Sequence, residues 1–190
     1  YIFNAIVEGT LTEKGTTIKS RLYDWKDRLG LATDMSAAME DNGVKVTFIG
    51  DGPVLGYKKF AVNKDNYLFL SEDKRVSANL KLRASDGTGL QVYTNDENAD
   101  ALQDITLSVN KLDLDDIFAI LPFTPNMTGI LDGDFHAIQT PDELTVSSSL
   151  TVSNMIYEGC KMGDVGTEFT YMPLSNGTHS VDGIMIHNGQ

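Results

Sequence analysis

"VSANLKLRA", residues 76–84, alternates without a break. Val76, Ala78, Leu80, Leu82 and Ala84 fall on one side, and Ser77, Asn79, Lys81 and Arg83 on the other. Successive side chains of an extended chain point to opposite faces, so the pattern predicts a strand with one dry and one wet face. A wet face favours antiparallel pairing, because parallel strands are usually covered on both sides. The pattern recurs outward in both directions. In "LTVSSSLTV" (144–152), Leu144, Val146, Leu150 and Val152 share one face, and Thr145, Ser147, Ser149 and Thr151 the other. Val44, Val46 and Phe48 repeat it, as do Ile105, Leu107 and Val109, and then Val165, Phe169 and Tyr171.

Between these runs lie "DNG" (41–43), "SDGTG" (85–89), "YEG" (157–159) and "SNG" (175–177), residues that favour tight hairpin turns. The spacing predicts about ten strands. One segment breaks the period. In "DLDDIFAILP" (113–122), Leu114, Ile117, Phe118 and Leu121 stand at i, i+3, i+4 and i+7, one face of a helix near 114–121. Asp113 is its expected N-cap, Asp115 and Asp116 suit the first turn, and Pro122 stops it. Two turns are not stable alone in water, so the helix must pack its apolar side on the dry face or the open end of the sheet. Residues 21–40 fit helix or strand, and the reading taken is strand.

The chain has 190 residues, enough for one domain. Hydrophobic residues make up 41% and charged residues 22%, values that argue for a folded chain over a disordered one. A net charge of −12 argues against nucleic acid, which demands clustered Lys and Arg. The lone Cys160 excludes an internal disulfide and a cysteine zinc site. No apolar run reaches the roughly 18 residues of a membrane span. The expectation is one elongated β domain, residues 1–190, belonging to a longer chain.

Motifs that suggest chemistry give way on inspection. "VKVTFIGDGPVLG" (44–56) resembles a dinucleotide fingerprint, but Leu55 stands where the third glycine belongs and strand-like sequence follows. A tight turn between strands is the better reading. Counting from Asp113, a calcium loop would need glycine and glutamate where Phe118 and Thr124 stand. Asp132 and Asp134 flank Gly133 and point to one face, as a wet edge or as a carboxylate pair for hydrolysis. His136, His179 and His187 lack metal spacing, and no nucleophile elbow exists. "NMT" (126–128) and "NGT" (176–178) have the form of glycosylation sequons and read as turns. The expectation is a non-enzymatic protein with no cofactor and no metal.

From about Arg21 onward the chain shows a recurring order. An alternating strand leads into a short Leu/Ile helix ending in Pro; then come "GILDGDF" (129–135), the "TPDEL" turn (140–144), a long alternating strand, and "GCKMGDV" (159–165). This order resembles the AsmA-like and TamB-like envelope proteins, the translocation and assembly modules of Gram-negative bacteria. "LYDWKDRLGLATDMSA" (22–37) and "GPVLGYKKFAVNKDNYLFL" (52–70) resemble the Bacteroides-type versions. The resemblance implies a periplasmic segment of a protein anchored in the inner membrane. It implies a long antiparallel sheet curled into a trough, a β-taco, whose apolar interior carries phospholipid acyl chains or helps assemble outer-membrane proteins. It also implies a barrel partner of the TamA or BamA type, reached through other parts of the full-length chain.

Periodicity alone leaves the dry face open to several fates. It can fill a closed β-sandwich core, close into a barrel, or line a groove that holds a guest. If it lines a groove, the expected guest-facing residues are Val76, Ala78, Leu80, Leu82, Ile105, Leu107, Val109, Ile117, Phe118, Leu121, Leu144, Val146, Leu150, Val152, Val165 and Phe169. The alternative function is an adhesin or sugar-binding β-sandwich. That reading needs exposed aromatics, with Trp25, Tyr57, Tyr67 and Tyr93 as the candidates.

Overall fold

A computed structural model describes residues 2–13, 15–95, 97, 101–120, 124–174 and 176–188, with backbone alone at 2 and 3. Among the described residues there are fourteen strands and one helix. In chain order they are β1 (Ile2–Thr12), β2 (Gly15–Asp24), β3 (Leu29–Glu40), β4 (Gly43–Phe48), β5 (Val54–Leu55), β6 (Lys58–Val62), β7 (Tyr67–Ser71), β8 (Val76–Ala84), β9 (Gly89–Thr94), β10 (Gln103–Asp113), α1 (Leu114–Phe118), β11 (Met127–Gln139), β12 (Leu144–Tyr157), β13 (Cys160–Pro173) and β14 (His179–His187). The protein is mainly β, as the alternation predicts. The strands outnumber the expected ten because β5 spans two residues and β6 and β7 five each, too short for periodicity to register. Residues 21–40 are strand, broken at 25–28 by a turn.

All fourteen strands belong to one sheet, and every pairing is antiparallel. Neighbours in sequence are neighbours in space from β1 to β4 and again from β7 to β14. Between β3 and β8 the sheet forks. One arm is β4–β7, pairing the Met35–Glu40 half of β3 with the start of β8. The other is β5–β6, pairing Leu31 and Ala32 with the end of β8. The supposed fingerprint is the hinge of this fork: Gly50 and Gly52 turn the chain from β4 into β5 with φ of 75° and 91°, and no helix follows.

A fork interrupts the backbone ladder, and unpaired buried amides are costly. Side chains fill the gap. The Asn66 carboxamide accepts the Phe48 N–H at 2.7 Å and donates to the Phe48 carbonyl at 3.2 Å. Asn63 accepts the Lys81 N–H at 2.8 Å and donates to the Asn79 carbonyl at 3.1 Å. Near the start of β8, Gln103 clasps both backbone groups of Val76 at 2.7 and 2.6 Å.

The helix starts as its sequence predicts. Asp113 accepts the Asp115 N–H at 3.0 Å, and Leu114 is buried. It is shorter than 114–121. After Phe118 the chain tightens, with the Ile120 N–H bonded to the Ile117 carbonyl three residues back. That twist brings Ile120, absent from the predicted stripe, into a buried position against Gly30 and Tyr57. Leu121 and Pro122 lie outside the described residues.

A row of bulges crosses β10 to β13 near this end. Lys111 on β10 and Asn154 on β12 adopt φ of 50° and 52°. An aspartate on the next strand accepts each freed N–H: Asp132 for Lys111 and Asp164 for Asn154, both at 2.8 Å. Bulges bend the strand that carries them and increase its twist. Gly133, with φ 149°, sits where a Cβ would lie 2.1 Å from the Ser149 carbonyl oxygen, so β11 and β12 approach closely there.

Candidate functional site

The register converts separate alternating strands into one surface. Paired residues in a ladder share a face. Leu80 pairs Val92, Val92 pairs Leu107, Leu107 pairs Phe135, Phe135 pairs Ser148, and Ser148 pairs Phe169. A second row runs Leu82, Leu90, Val109, Gly133, Leu150, Thr167 and Met185. A third joins Ile105 to Ala137, Val146, Tyr171 and Val181. Beyond the bulges, Val152 pairs Val165. In the other direction Ala78 pairs Leu68, Leu68 pairs Val46, and the row continues through Ala37, Thr16 and Leu11. One face of the sheet is therefore mostly apolar from β1 to β14, with Ser148, Thr167 and Thr16 among the apolar side chains of these rows.

The strand residues expected to line a groove all lie on this face. Their burial differs sharply along it. Ala78, Leu80 and Leu82 are buried, Leu80 being 5% exposed. Leu80 and Leu82 form a small core with Phe60 and Ala84, against which Phe48, Leu55, Val62, Leu68, Leu90 and Val92 pack. Val76, Ile105, Leu107, Val109, Val146, Leu150, Val152, Val165 and Phe169 are half-buried, and Leu144 is exposed. Ile117 and Phe118 are half-buried on the helix, and Leu121 falls outside the described residues. At the two outer strands the face is bare. Sequence reasoning missed Phe60, the deepest of these side chains, because "KKFAV" (58–62) is too short for its alternation to stand out.

The chain exposes 12170 Å² of surface. A compact monomer of 190 residues would expose about 9,000 Å². All fourteen strands lie in one sheet, and no second sheet covers its outer apolar surface among the described residues. Exposed apolar surface is unfavourable by about 25 cal/mol per Å².

The polar groups at the helix end are structural in geometry. Asp24 is buried at the turn after β2. Burial pushes its carboxyl up, but the Arg28 N–H and guanidinium, at 2.9 and 2.8 Å, and the Lys26 N–H, at 2.9 Å, outweigh it and hold the pKa at about 2. Arg28 in turn stacks on the Tyr57 ring at 4.6 Å. Lys58, on the apolar face of β6, pairs with Asp86 at 2.8 Å and reaches Asp116 of α1 at 3.8 Å. The hydrogen bond to Asp86 raises the Lys58 pKa; burial, and then the charge of Asp113, raise that of Asp116.

The pairs considered for catalysis are engaged elsewhere. Asp132 accepts the Lys111 N–H, and Asp134 accepts the Ser108 hydroxyl. His136 pairs with Asp104 at 2.7 Å, His179 bonds the Tyr171 hydroxyl, and His187 donates to the Met162 carbonyl. Among the described residues no group of three or more His, Cys, Asp or Glu is placed to hold a metal. No helix among them is long and apolar enough to cross a membrane. Trp25 is exposed in the β2–β3 turn, while Tyr57 lies under Arg28. Tyr67 and Tyr93 flank Asn79 on the wet face.

No family model, curated protein or solved structure matches the chain.

Proposed function

We propose that this chain is a non-enzymatic, lipid-handling segment of an envelope-biogenesis protein, with acyl chains lying along its apolar face. The single observation that carries this reading is the mostly apolar face that the sheet shares from β1 to β14, dry at β6–β8 and open at both wings. A hydrocarbon guest would cover the open part without any titratable group. The resemblance to AsmA-like and TamB-like proteins points the same way. It supplies the proposed setting: the periplasm, an inner-membrane anchor on the full-length chain, and an outer-membrane barrel partner.

The proposal includes a curled sheet. Support comes from α1, which leaves β10 and sets Ile120 against Gly30 at the start of β3. In a flat sheet those strands would stand five spacings, roughly 24 Å, apart. The residues from Asp113 to Ile120 span only about 10 Å as helix. Curling brings the two strands within reach. The bulge row and Gly133 supply bending at the neighbouring strands.

The test is mass spectrometry of gently extracted protein. Co-purifying phospholipid, lost on Leu150→Asp with the sheet intact, supports the reading. Protein that stays free of lipid after exposure to phospholipid vesicles counts against it.

A further inference from the structure

One of the hydroxyls on the apolar face is not claimed by the fold. Ser148 of β12 pairs Phe135 on β11 and Phe169 on β13, and Val146 and Leu150 flank it along its own strand. The ladder therefore turns its side chain to the apolar face. Ser148 is 6% exposed, and its Oγ meets no hydrogen-bond partner among the described residues. The other buried polar side chains differ. Asp24, Asn66, Thr88 and Asp104 are all hydrogen-bonded, and the enclosed Asp34 Oδ1 meets the Arg21 guanidinium at 2.6 Å. A buried hydroxyl without a partner is unfavourable, and alanine at this place would avoid that cost.

The surroundings narrow what the partner is. A serine between two phenylalanines is the low point of its row. Phe135 is 37% exposed, and exposed side chains change rotamer within nanoseconds, so its ring can swing clear of the hydroxyl. The apolar-face positions around Ser148, namely Gly133, Ala137, Val146, Leu150, Thr167 and Tyr171, carry no charge. A carboxylate or an ammonium group would be buried here without a counter-charge. An uncharged acceptor joined to hydrocarbon suits the place. We infer that the Ser148 hydroxyl donates a hydrogen bond to the ester carbonyl oxygen of an acyl chain on the apolar face, and so fixes which part of the guest rests at β12. This rests on the lipid-handling reading and adds to it a polar anchor.

The test is calorimetric titration of the 190-residue protein with two lysophosphatidylcholines of equal chain length, kept below their micellar concentration. One has an ester-linked chain and the other an ether-linked chain, so they differ only in the carbonyl. The expected result is ester binding roughly two to ten times tighter, the worth of one hydrogen bond. Ser148→Ala should bind both lipids at the parent's ether affinity. Ser148→Thr, which keeps the hydroxyl, should restore the preference. Circular dichroism checks that each variant folds as the parent does. Equal affinity of the parent for the two lipids overturns the anchor and leaves the lipid reading standing, as does an undiminished ester preference in Ser148→Ala. Failure of the parent to bind either lipid overturns the anchor and the lipid reading together.

Discussion

The Asn66 carboxamide holds both backbone groups of Phe48, accepting its N–H at 2.7 Å and donating to its carbonyl at 3.2 Å. A side chain thus stands in for a missing strand at the point where the sheet divides. Asn66 is buried, and its amide also donates to the Asn63 carbonyl. Asn66→Ala leaves these groups without partners. The expected loss is about 1–3 kcal/mol, read from urea unfolding. Asn63→Ala, at a more accessible position, should cost less.

The gradient of burial along the apolar face separates the buried core from the open wings. Leu80→Asp places a carboxylate in the small core beside Phe60 and Leu82. It should unfold the central strands, with a loss above about 4 kcal/mol. Leu150→Asp, on a half-buried wing, should leave the far-ultraviolet circular dichroism spectrum unchanged. From the sequence alone the two leucines look alike, since each stands in an alternating strand. Their difference arises at the fork, where β6 and β7 both pair along β8 and Phe60 joins Leu80 in the core, and no local pattern reports that.

Gly133→Ala should be destabilising by about 1–3 kcal/mol, because the new methyl meets the Ser149 carbonyl oxygen at a φ that disfavours side chains. Gly9→Ala meets nothing within 4 Å and should fall within about 0.5 kcal/mol of the parent. Thermal unfolding of the pair checks both values.

Asp24 gives the acid limb of stability a definite sign. Its folded pKa is depressed to about 2. Its contribution is therefore present above the unfolded carboxylate value and is lost as pH falls through the folded one, between roughly pH 4 and pH 2. Asp24→Asn should flatten the stability profile in that window and leave its shape near neutrality unchanged. A pH series of urea unfolding curves reads this directly.

Much of the architecture was legible because each long strand carries its own period. β8, β10, β12 and β13 declared both faces, and the turn residues between them declared antiparallel neighbours. Asp113 was legible as a cap because capping is local. What escaped depended on contacts far along the chain. Ile120 is buried by a tightened turn against Gly30, ninety residues earlier. Asp132 looked like half of a carboxylate pair, yet it pins the bulge at Lys111, which only the register of β10 on β11 reveals. Likewise, alternation marked which residues share a face, but the exposure of the two wings followed from what the sheet leaves uncovered.

The most direct test of the lipid-handling account is native mass spectrometry of protein extracted gently and matched with its Leu150→Asp variant. The account predicts phospholipid bound to the parent and depleted in the variant, with both equally folded. Lipid-free parent protein after incubation with phospholipid vesicles, or equal lipid on both proteins, would contradict it.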